Sequence, residues 1–456
     1  MENKSMRNSF SGRIGYVLAA AGASVGLGNI WRFPYLAAKY GGGIFLLIYI
    51  ALAATFGYTM MVAETAIGRS TRKSPVGAFR VFSGGRLFTA GGWLNALIPI
   101  IIAPYYSVIG GWVLKYLYEY LRGHSAQMAD DGFFSAFIQN GVKTEFWFIV
   151  FMFCTILVIL MGVENGIERV SRFMMPVLVV LAMVIALYSI TRPGAFDGVK
   201  YLFVPDPSAF SWKTLIAAMT QMFYSLSIAM GILITFGSYM KREVSIEGST
   251  WNVVFFDTLI AIFSALMIIP AVFSYSGGDP KMLNAGPALM FITMPKIFLD
   301  MEGGALIAIL FFLLVFFAAL TSSIALAEAA AATFVDELKW SRKGSALFMS
   351  LVMLTLGSLS ALGYGPLSGI RFLGMQFLDF FDFITNSIAM PISAFAICAY
   401  VVYRFSVKRV STEVKAEGAA FHMEQAFDFL IRTICPLFAI LILLFSIAGM
   451  LGFTTL

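Results

Sequence analysis

Residues 20–29 read AAGASVGLGN and lie inside the first long apolar stretch of the chain, which covers residues 14–37. Three of these ten residues are glycine, and each glycine weakens a helix by about 1 kcal/mol relative to alanine. A helix that crosses a membrane here is therefore expected to unwind, which is tolerated only where the backbone lines a cavity or a ligand. Close packing of helices through small residues is the alternative interpretation.

The composition of the whole chain is that of a polytopic membrane protein. Hydrophobic residues make up 59% of the 456 residues and charged residues only 12%, whereas soluble domains are roughly 25% charged. Eleven stretches reach the roughly 20 apolar residues that a spanning helix needs. They centre on residues 14–37, 43–65, 93–121, 146–162, 173–190, 214–239, 253–275, 304–334, 345–363, 379–403 and 432–453. We therefore predict an all-α fold with eleven transmembrane helices.

The sixth apolar stretch contains a second interruption at residues 221–231, QMFYSLSIAMG, where two serines and a glycine fall near the middle. Interrupted helices at matching positions of two halves are the best sequence indication of a transport site. We predict one membrane transporter domain over residues 1–456 with discontinuous helices 1 and 6. Its parts are a five-helix repeat at 1–190, an inverted second repeat at 213–403 and an eleventh helix at 428–456.

The distribution of basic residues predicts the orientation. With the N-terminus in the cytoplasm, 20 of the 31 Lys and Arg residues fall inside and 10 outside, which leaves Arg32 in the membrane. The positive-inside rule supports this arrangement, so we expect a multi-pass protein of the cell membrane with an external C-terminus. The net charge of +6 is spread between apolar stretches. We therefore expect the lipid bilayer, and not a nucleic acid, as the partner.

Several polar side chains lie where the solvent is hydrocarbon. An ionisable side chain at the bilayer centre costs about 2.5–3.5 kcal/mol, so each one is a functional candidate unless it reaches an interface. The candidates are Arg32, Glu64, Asp257, Glu328, Asp379 and Asp382. Three consecutive hydroxyl residues, Thr321, Ser322 and Ser323, also lie inside an apolar stretch. They indicate a cation site, although hydroxyls in a helix often bond their own i−4 carbonyls instead.

Five sequence motifs together resemble those of a known family. They are residues 22–34 (GASVGLGNIWRFP), Glu64 in AETAIGR, Tyr105 and Tyr106, residues 221–227, and residues 318–323 (AALTSS). The chain resembles the neurotransmitter:sodium symporter family over nearly its whole length, and its bacterial eleven-span amino-acid members most of all. The resemblance implies symport of sodium, as two ions, with a neutral amino acid by alternating access.

The resemblance also implies the ligands of both ions. The first site would use the carbonyl of Ala23 or Ser24, the side chains of Asn29 and Ser225, and a side chain of helix 7, for which Asn252 is the candidate. The second site would use Gly22, Val25, Ala318, Thr321 and Ser322.

The substrate site and the gates are implied in the same way. The amides of Leu27 and Gly28 and the Tyr106 hydroxyl would hold the substrate carboxylate. The side-chain pocket would be lined by Ala23, Ile102, Tyr224, Ser225, Ser227, Met230, Ser322 and Leu326. Arg32 and Asp382, bridged by Gln221, would form an outer gate. Arg7 and Asp336 would form an inner gate.

Two positions depart from the family pattern. Asn252 and Asp257 stand five residues apart in helix 7, and Asp257 is expected to supply the negative charge that chloride gives to other members. Gly26 stands where monoamine carriers have aspartate, so the ligand must bring its own carboxylate. Because the implied pocket is mostly apolar, we expect a hydrophobic or aromatic L-amino acid as the substrate. Because Asp257 would replace chloride, we expect transport to be independent of chloride.

Two other classes of function remain open. A proton-coupled carrier of similar architecture would use Asp257 or Glu64 as its proton carrier, and a ligand-binding channel or sensor would lack concentrative uptake. An enzyme is not expected, because the sequence contains no nucleophile–base pair, metal motif or phosphate loop.

Overall fold

The computed structural model describes residues 9–82, 85–277 and 286–451. Within these ranges every regular element is a helix, and the extended pairing is limited to two isolated bridges. In this described part of the chain, nine helices are each long and apolar enough to cross a membrane, and a tenth span consists of two helices that meet at 55°. The remaining predicted span is divided between two shorter helices, Trp212–Ser225 and Ile232–Tyr239. The prediction of an all-α polytopic membrane protein is confirmed.

The spans are labelled α1 to α11, and the halves of the two divided spans carry the letters a and b. They are α1a (Arg13–Ser24), α1b (Gly28–Lys39), α2 (Gly43–Thr71), α3 (Arg86–Leu121), α4 (Gly141–Leu160), α5 (Val163–Ile190), α6a (Trp212–Ser225), α6b (Ile232–Tyr239), α7 (Ile246–Ser276), α8 (Gly304–Leu338), α9 (Arg342–Leu362), α10 (Phe377–Phe405) and α11 (Glu424–Met450). Shorter helices connect them at Pro75–Phe82, Ser125–Met128, Asp131–Gln139, Ala195–Phe203, Met294–Asp300 and Val407–Val414.

Both predicted interruptions occur. Val25 leaves the helical conformation at the end of α1a, with φ −74° and ψ 98°, and α1b begins with a π-helical turn at Gly28–Arg32. Between α6a and α6b, Ser227, Ala229 and Gly231 have φ values of 53°, 61° and 70°. A left-handed conformation costs a non-glycine residue of order 1–3 kcal/mol and persists only where the surroundings hold it. The break in α6 is therefore imposed by contacts with other helices.

Burial differs strongly between the spans, with α3 near the centre of the bundle and α11 at its edge. In the most apolar part of α3, 78% of the residues are buried inside the protein, against 22% in α11.

α2 and α6b approach each other closely. A side chain at Gly68 would collide with the backbone of Ile234, and one at Gly237 would collide with the backbone of Thr65. This contact fixes α6b against α2, and α2 carries Glu64.

A buried ion pair ties α6b, α8 and α9 together. The fully buried carboxylate of Glu328 accepts hydrogen bonds from Arg342 at 2.7 Å and from the Tyr239 hydroxyl at 2.7 Å. The Arg342 side chain is 25% exposed. Since an arginine left without its carboxylate in a poorly solvated site is costly, this pair is expected to matter for stability.

We predict that Glu328→Gln lowers the free energy of unfolding by about 2–3 kcal/mol, because it leaves the Arg342 charge uncompensated. The measurement is thermal unfolding of the detergent-solubilised protein. The control is Asp428→Asn, which removes a carboxylate from an ion pair with Arg432 in which both side chains are 47% exposed; its expected loss is below about 1 kcal/mol. Equal losses in the two variants would contradict the assignment.

Candidate functional site

Three carbonyls at the end of α1a converge on one hydroxyl group of α8. The Ser322 Oγ lies 3.2 Å from the carbonyl oxygens of Gly22 and Ala23, and 3.3 Å from that of Val25. These carbonyls would face the next turn of an unbroken helix. Because α1 stops at Ser24, they are available to a group outside the helix.

A second hydroxyl and a further carbonyl extend this cluster. The Thr321 Oγ1 lies 3.1 Å from the carbonyl oxygen of Ala318, and the Thr321 side chain faces Gly22, where a Cβ atom would lie 3.2 Å from the Thr321 Cβ. The cluster thus contains four carbonyl and two hydroxyl oxygens, which are the ligands that hard cations prefer. Since none of the six carries a charge, the set suits a monovalent cation.

A charged cluster lies on the other side of the α1 break. The Asn29 Nδ2 donates to Ser225 Oγ and to Asp257 Oδ1, both at 2.8 Å, and Ser225 Oγ donates to the same carboxylate oxygen at 2.8 Å. The Tyr49 hydroxyl donates to Asp257 Oδ2 at 2.7 Å, and the amide of Gly26 donates to Asn29 Oδ1 at 3.1 Å. Four helices therefore bring oxygen ligands and one buried carboxylate to a single place.

The structure does not bring Asn252 to this cluster. Five residues of α-helix turn through about 500° and rise about 7.5 Å, so Asn252 and Asp257 point from different sides of α7. Asn252 is half-buried, whereas Asp257 is fully buried. α7 contributes the Asp257 carboxylate to the cluster. The sequence analysis predicts the side-chain amide of Asn252 at this place.

A small cavity of about 30 Å³ lies between the two clusters. In its wall the Leu27 amide donates to the Tyr106 hydroxyl at 3.2 Å, and the Ser227 hydroxyl donates to the Ala23 carbonyl at 3.0 Å. All eleven residues that the sequence suggested for the substrate line this cavity: Ala23, Leu27, Gly28, Ile102, Tyr106, Tyr224, Ser225, Ser227, Met230, Ser322 and Leu326. Gly26 and Ile232 line it as well, and the pattern of the sequence gave no reason to choose Ile232.

A larger cavity of about 310 Å³ lies beyond Tyr224 and contains both members of the suggested outer gate. The Arg32 guanidinium is 5.5 Å from the centre of the Tyr224 ring. Asp382 accepts hydrogen bonds from the Tyr105 hydroxyl at 3.2 Å and from Asn386 at 2.6 Å. No ion pair joins Arg32 to Asp382 among the described residues, so a direct contact between these two charges does not close this cavity.

Gln221 does not bridge these two charges. Its amide donates instead to the carbonyl of Gly28 at 2.9 Å. This bond ties α6a to the first turn of α1b. Because Tyr224 lies one turn further along α6a, the same bond helps to hold the ring over the smaller cavity.

The structure describes one of the two residues suggested for the inner gate. Arg7 lies outside the described residues. Asp336, near the end of α8, accepts a hydrogen bond from the backbone amide of Ser74 at 2.6 Å. The pairing of Arg7 with Asp336 therefore stays a prediction.

The contacts that hold the α6 break were not predicted in detail. The amide of Ala229 donates to Glu64 Oε1 at 2.7 Å, and its carbonyl accepts from the Ser393 hydroxyl at 3.0 Å. Glu64 was a candidate by its charge and as part of the AETAIGR motif. Ser393 and Tyr49 carry no comparable signal, because a single hydroxyl in an apolar helix usually bonds its own helix or faces an interface.

Comparison with known proteins identifies the family. The sequence model of the sodium:neurotransmitter symporter family matches residues 7–129 and 134–454. The chain belongs to this family. The resemblance that the motifs indicated is thus confirmed, and the two clusters at the α1 break lie in a symporter of sodium.

Individual relatives agree over almost the full chain. The uncharacterised sodium-dependent transporter YhdH of Bacillus subtilis (strain 168) is 33% identical over 450 residues, which are 97% of this chain and 98% of the relative. An uncharacterised sodium-dependent transporter of Haemophilus influenzae is 31% identical over 88% of this chain and 90% of the relative. The solved structure of MhsT in complex with L-phenylalanine has a TM-score of 0.86 and 34% identity, covering 96% of this chain and 100% of that one. The present chain, as a member of the symporter family, is a sodium-dependent transporter.

We predict that Ser322→Ala raises the sodium concentration for half-maximal amino-acid binding by about tenfold or more, because a ligand of a charged group contributes about 1.5–3 kcal/mol. The measurement is a sodium titration of binding to the purified protein. The matched control is Ser323→Ala, since the Ser323 hydroxyl bonds Thr155 and Ser107 at 3.0 and 3.3 Å and not the α1 carbonyls. An unchanged sodium requirement in Ser322→Ala would exclude the neutral cluster as an ion site.

Proposed function

We propose that the protein couples sodium entry to the uptake of a neutral, hydrophobic or aromatic L-amino acid by alternating access. The observation that carries this proposal is the cavity between the two oxygen clusters, which shares Ser225 with the charged cluster and Ser322 with the neutral one. A substrate in this cavity would touch a ligand of each ion. Such sharing makes the affinities for ion and amino acid depend on each other.

The carboxylate of the substrate would bind at the start of α1b. The N-terminus of a helix presents free N–H groups and a partial positive charge. The Leu27 amide and the Tyr106 hydroxyl are hydrogen-bonded to each other in the wall of the cavity, and a carboxylate that separated them would accept a hydrogen bond from both. Gly26 keeps this place open, because a Cβ atom there would lie 2.8 Å from the Ser322 hydroxyl and 2.9 Å from that of Tyr106.

The walls of the cavity support an apolar substrate side chain. Ile102, Met230, Ile232 and Leu326 line it, together with the Tyr224 ring, and no side chain in the lining is charged. A volume of about 30 Å³ holds about two waters, so the walls must separate to admit a larger side chain. Met230 can adapt to different shapes because its side chain is unbranched and flexible. The L-phenylalanine that the MhsT structure contains is a ligand of this kind.

Two sodium ions would drive the uptake, one in each cluster. One charge moved through 100 mV yields about 2.3 kcal/mol, and a tenfold gradient adds about 1.4 kcal/mol per ion. Two ions then supply roughly 7 kcal/mol, enough for an accumulation of about 10⁵-fold. Ala23 or Ser24 would complete the first site with a carbonyl beside Asn29, Ser225 and Asp257.

Two gates would open in turn around this site. Arg32 and Asp382 would close the outer cavity when they approach each other, with the Tyr224 ring beneath them. Arg7 and Asp336 would close the other end. The N-terminus would then lie in the cytoplasm and the C-terminus outside the cell membrane, as the distribution of basic residues indicates.

A proton-coupled carrier is the second candidate. The observation in its favour is that Glu64 Oε2 is buried and has no hydrogen-bond partner among the described residues. A carboxyl group in such a place is able to carry a proton. Uptake driven by a pH gradient in the absence of sodium would support this candidate and exclude the first.

The test of the proposed function is uptake of a panel of labelled amino acids into proteoliposomes that contain the purified protein. We expect sodium-dependent, saturable accumulation of Leu, Met, Phe, Tyr or Trp, and no accumulation of Lys, Glu or monoamines. Sodium-independent uptake would overturn the coupling, and uptake of charged amino acids would overturn the assigned substrate class.

We predict that sodium-driven uptake is the same in chloride and in gluconate, and that Asp257→Asn makes it weaker and stimulated by chloride. The change removes one negative charge beside Asn29 and Ser225 but keeps the size of the side chain. Uptake is measured at fixed sodium with either anion. A chloride requirement in the unmodified protein, or a variant with unchanged activity in both anions, would contradict the role of Asp257 as a substitute for chloride.

A further inference from the structure

Aromatic rings form a continuous group where α3 begins and α10 ends. Phe82 and Phe405 have ring centroids 5.3 Å apart, and Tyr400 lies 6.1 Å from both Phe405 and Phe88. Tyr400 also stacks on Phe79 at 4.2 Å. These rings join the ends of two spans to the short helix Pro75–Phe82, so side chains that rest on them have fixed positions.

Two exposed arginines rest on this aromatic group. The Arg404 guanidinium lies 5.3 Å from the centre of the Phe88 ring, and that of Arg409 lies 4.4 Å from the centre of Phe82. An arginine stacked in this way keeps its N–H groups free at the edge of the plane, where they fit a phosphate in two-pronged geometry. Two further basic residues are exposed here: Arg86 lies two residues before Phe88, and Lys408 directly precedes Arg409. We call these four residues the basic cluster.

The basic cluster has no acidic partner among the described residues. Two carboxylates at this end of the bundle pair with other arginines: Glu337 with Arg80 at 2.6 Å, and Glu413 with Arg69 at 2.7 Å. Four positive charges therefore remain uncompensated within a short stretch of surface. Such a surface attracts an anion.

Exposed apolar side chains adjoin the basic cluster. Leu87 is 81% exposed and follows Arg86, and Tyr403 is 76% exposed and precedes Arg404. Both lie at the ends of spans, where the headgroups of a bilayer meet its acyl chains. A soluble anion would make no use of these apolar surfaces, whereas a lipid would cover them with its chains and place its phosphate among the arginines.

We propose that the basic cluster binds the headgroup of an anionic phospholipid, with the phosphate between Arg404 and Arg409. The charge distribution predicts that this end of the molecule faces the cytoplasm. Each basic residue close to an anionic membrane surface strengthens binding by about fivefold. Removal of both stacked arginines is therefore expected to weaken binding by about 30-fold.

The experiment is native mass spectrometry of the full chain in a non-ionic detergent, titrated with phosphatidylglycerol or with phosphatidylcholine of the same acyl chains. We expect retention of phosphatidylglycerol at far lower lipid concentrations than phosphatidylcholine. The double variant Arg404→Gln/Arg409→Gln should lose this preference, with the phosphatidylglycerol affinity lowered by about 30-fold. The matched control is Arg122→Gln, because Arg122 is also exposed and stacked, 5.7 Å from the ring of Tyr118 at the other end of α3.

Three results would overturn the proposal. Equal retention of the two lipids by the unmodified protein would do so without any variant, even if the double variant fails to fold. An equal loss in Arg122→Gln would show that any surface arginine serves. Displacement of phosphatidylglycerol by inorganic phosphate would show that the cluster binds a free anion and not a lipid. The proposal does not depend on the proposed function, because its experiment measures lipid binding and not uptake.

Discussion

A peptide group inside a bilayer must find a hydrogen-bond partner, and this constraint governs the centre of the molecule. The helix breaks in α1 and α6 leave amides and carbonyls without partners in their own helices. Ser322 meets the carbonyls of α1a, Tyr106 meets the Leu27 amide, and Glu64 meets the Ala229 amide. These side chains satisfy the peptide groups at the breaks, and under the proposed function ions and substrate would take over that role when they bind.

The two oxygen clusters differ in charge, and under the proposed function this difference would give each ion a different role. The neutral cluster around Ser322 would bind a cation through dipoles alone. The other cluster contains Asp257, close to the place proposed for the substrate carboxylate. Two carboxylates at low dielectric repel each other strongly, and a sodium ion between them removes that repulsion. The amino acid would therefore bind well only after the ion, which is the basis of coupling.

Much of the fold could be predicted from the sequence, because eleven apolar stretches and two clusters of small residues leave few alternatives. The register of helix 7 could not. α7 is apolar on all sides, so its pattern does not indicate which face carries Asn252 and which carries Asp257. The sequence does not indicate the contact of Tyr49 with Asp257 either, because Tyr49 lies within a run of large apolar residues. It also does not indicate the stacking of Arg404 on Phe88, because these two residues are far apart in the chain. Each of these depends on packing between helices.

Hydrogen–deuterium exchange of the protein in lipid nanodiscs tests the central claim most directly. The account predicts that amides of residues 22–29 and 225–231 exchange faster than those of α2 in the absence of ligands. Their exchange should slow when sodium and a transported amino acid are both present, while α2 stays unchanged. Full protection of both segments without ligands, at the level of continuous helices and with no response to sodium and amino acid, would contradict it.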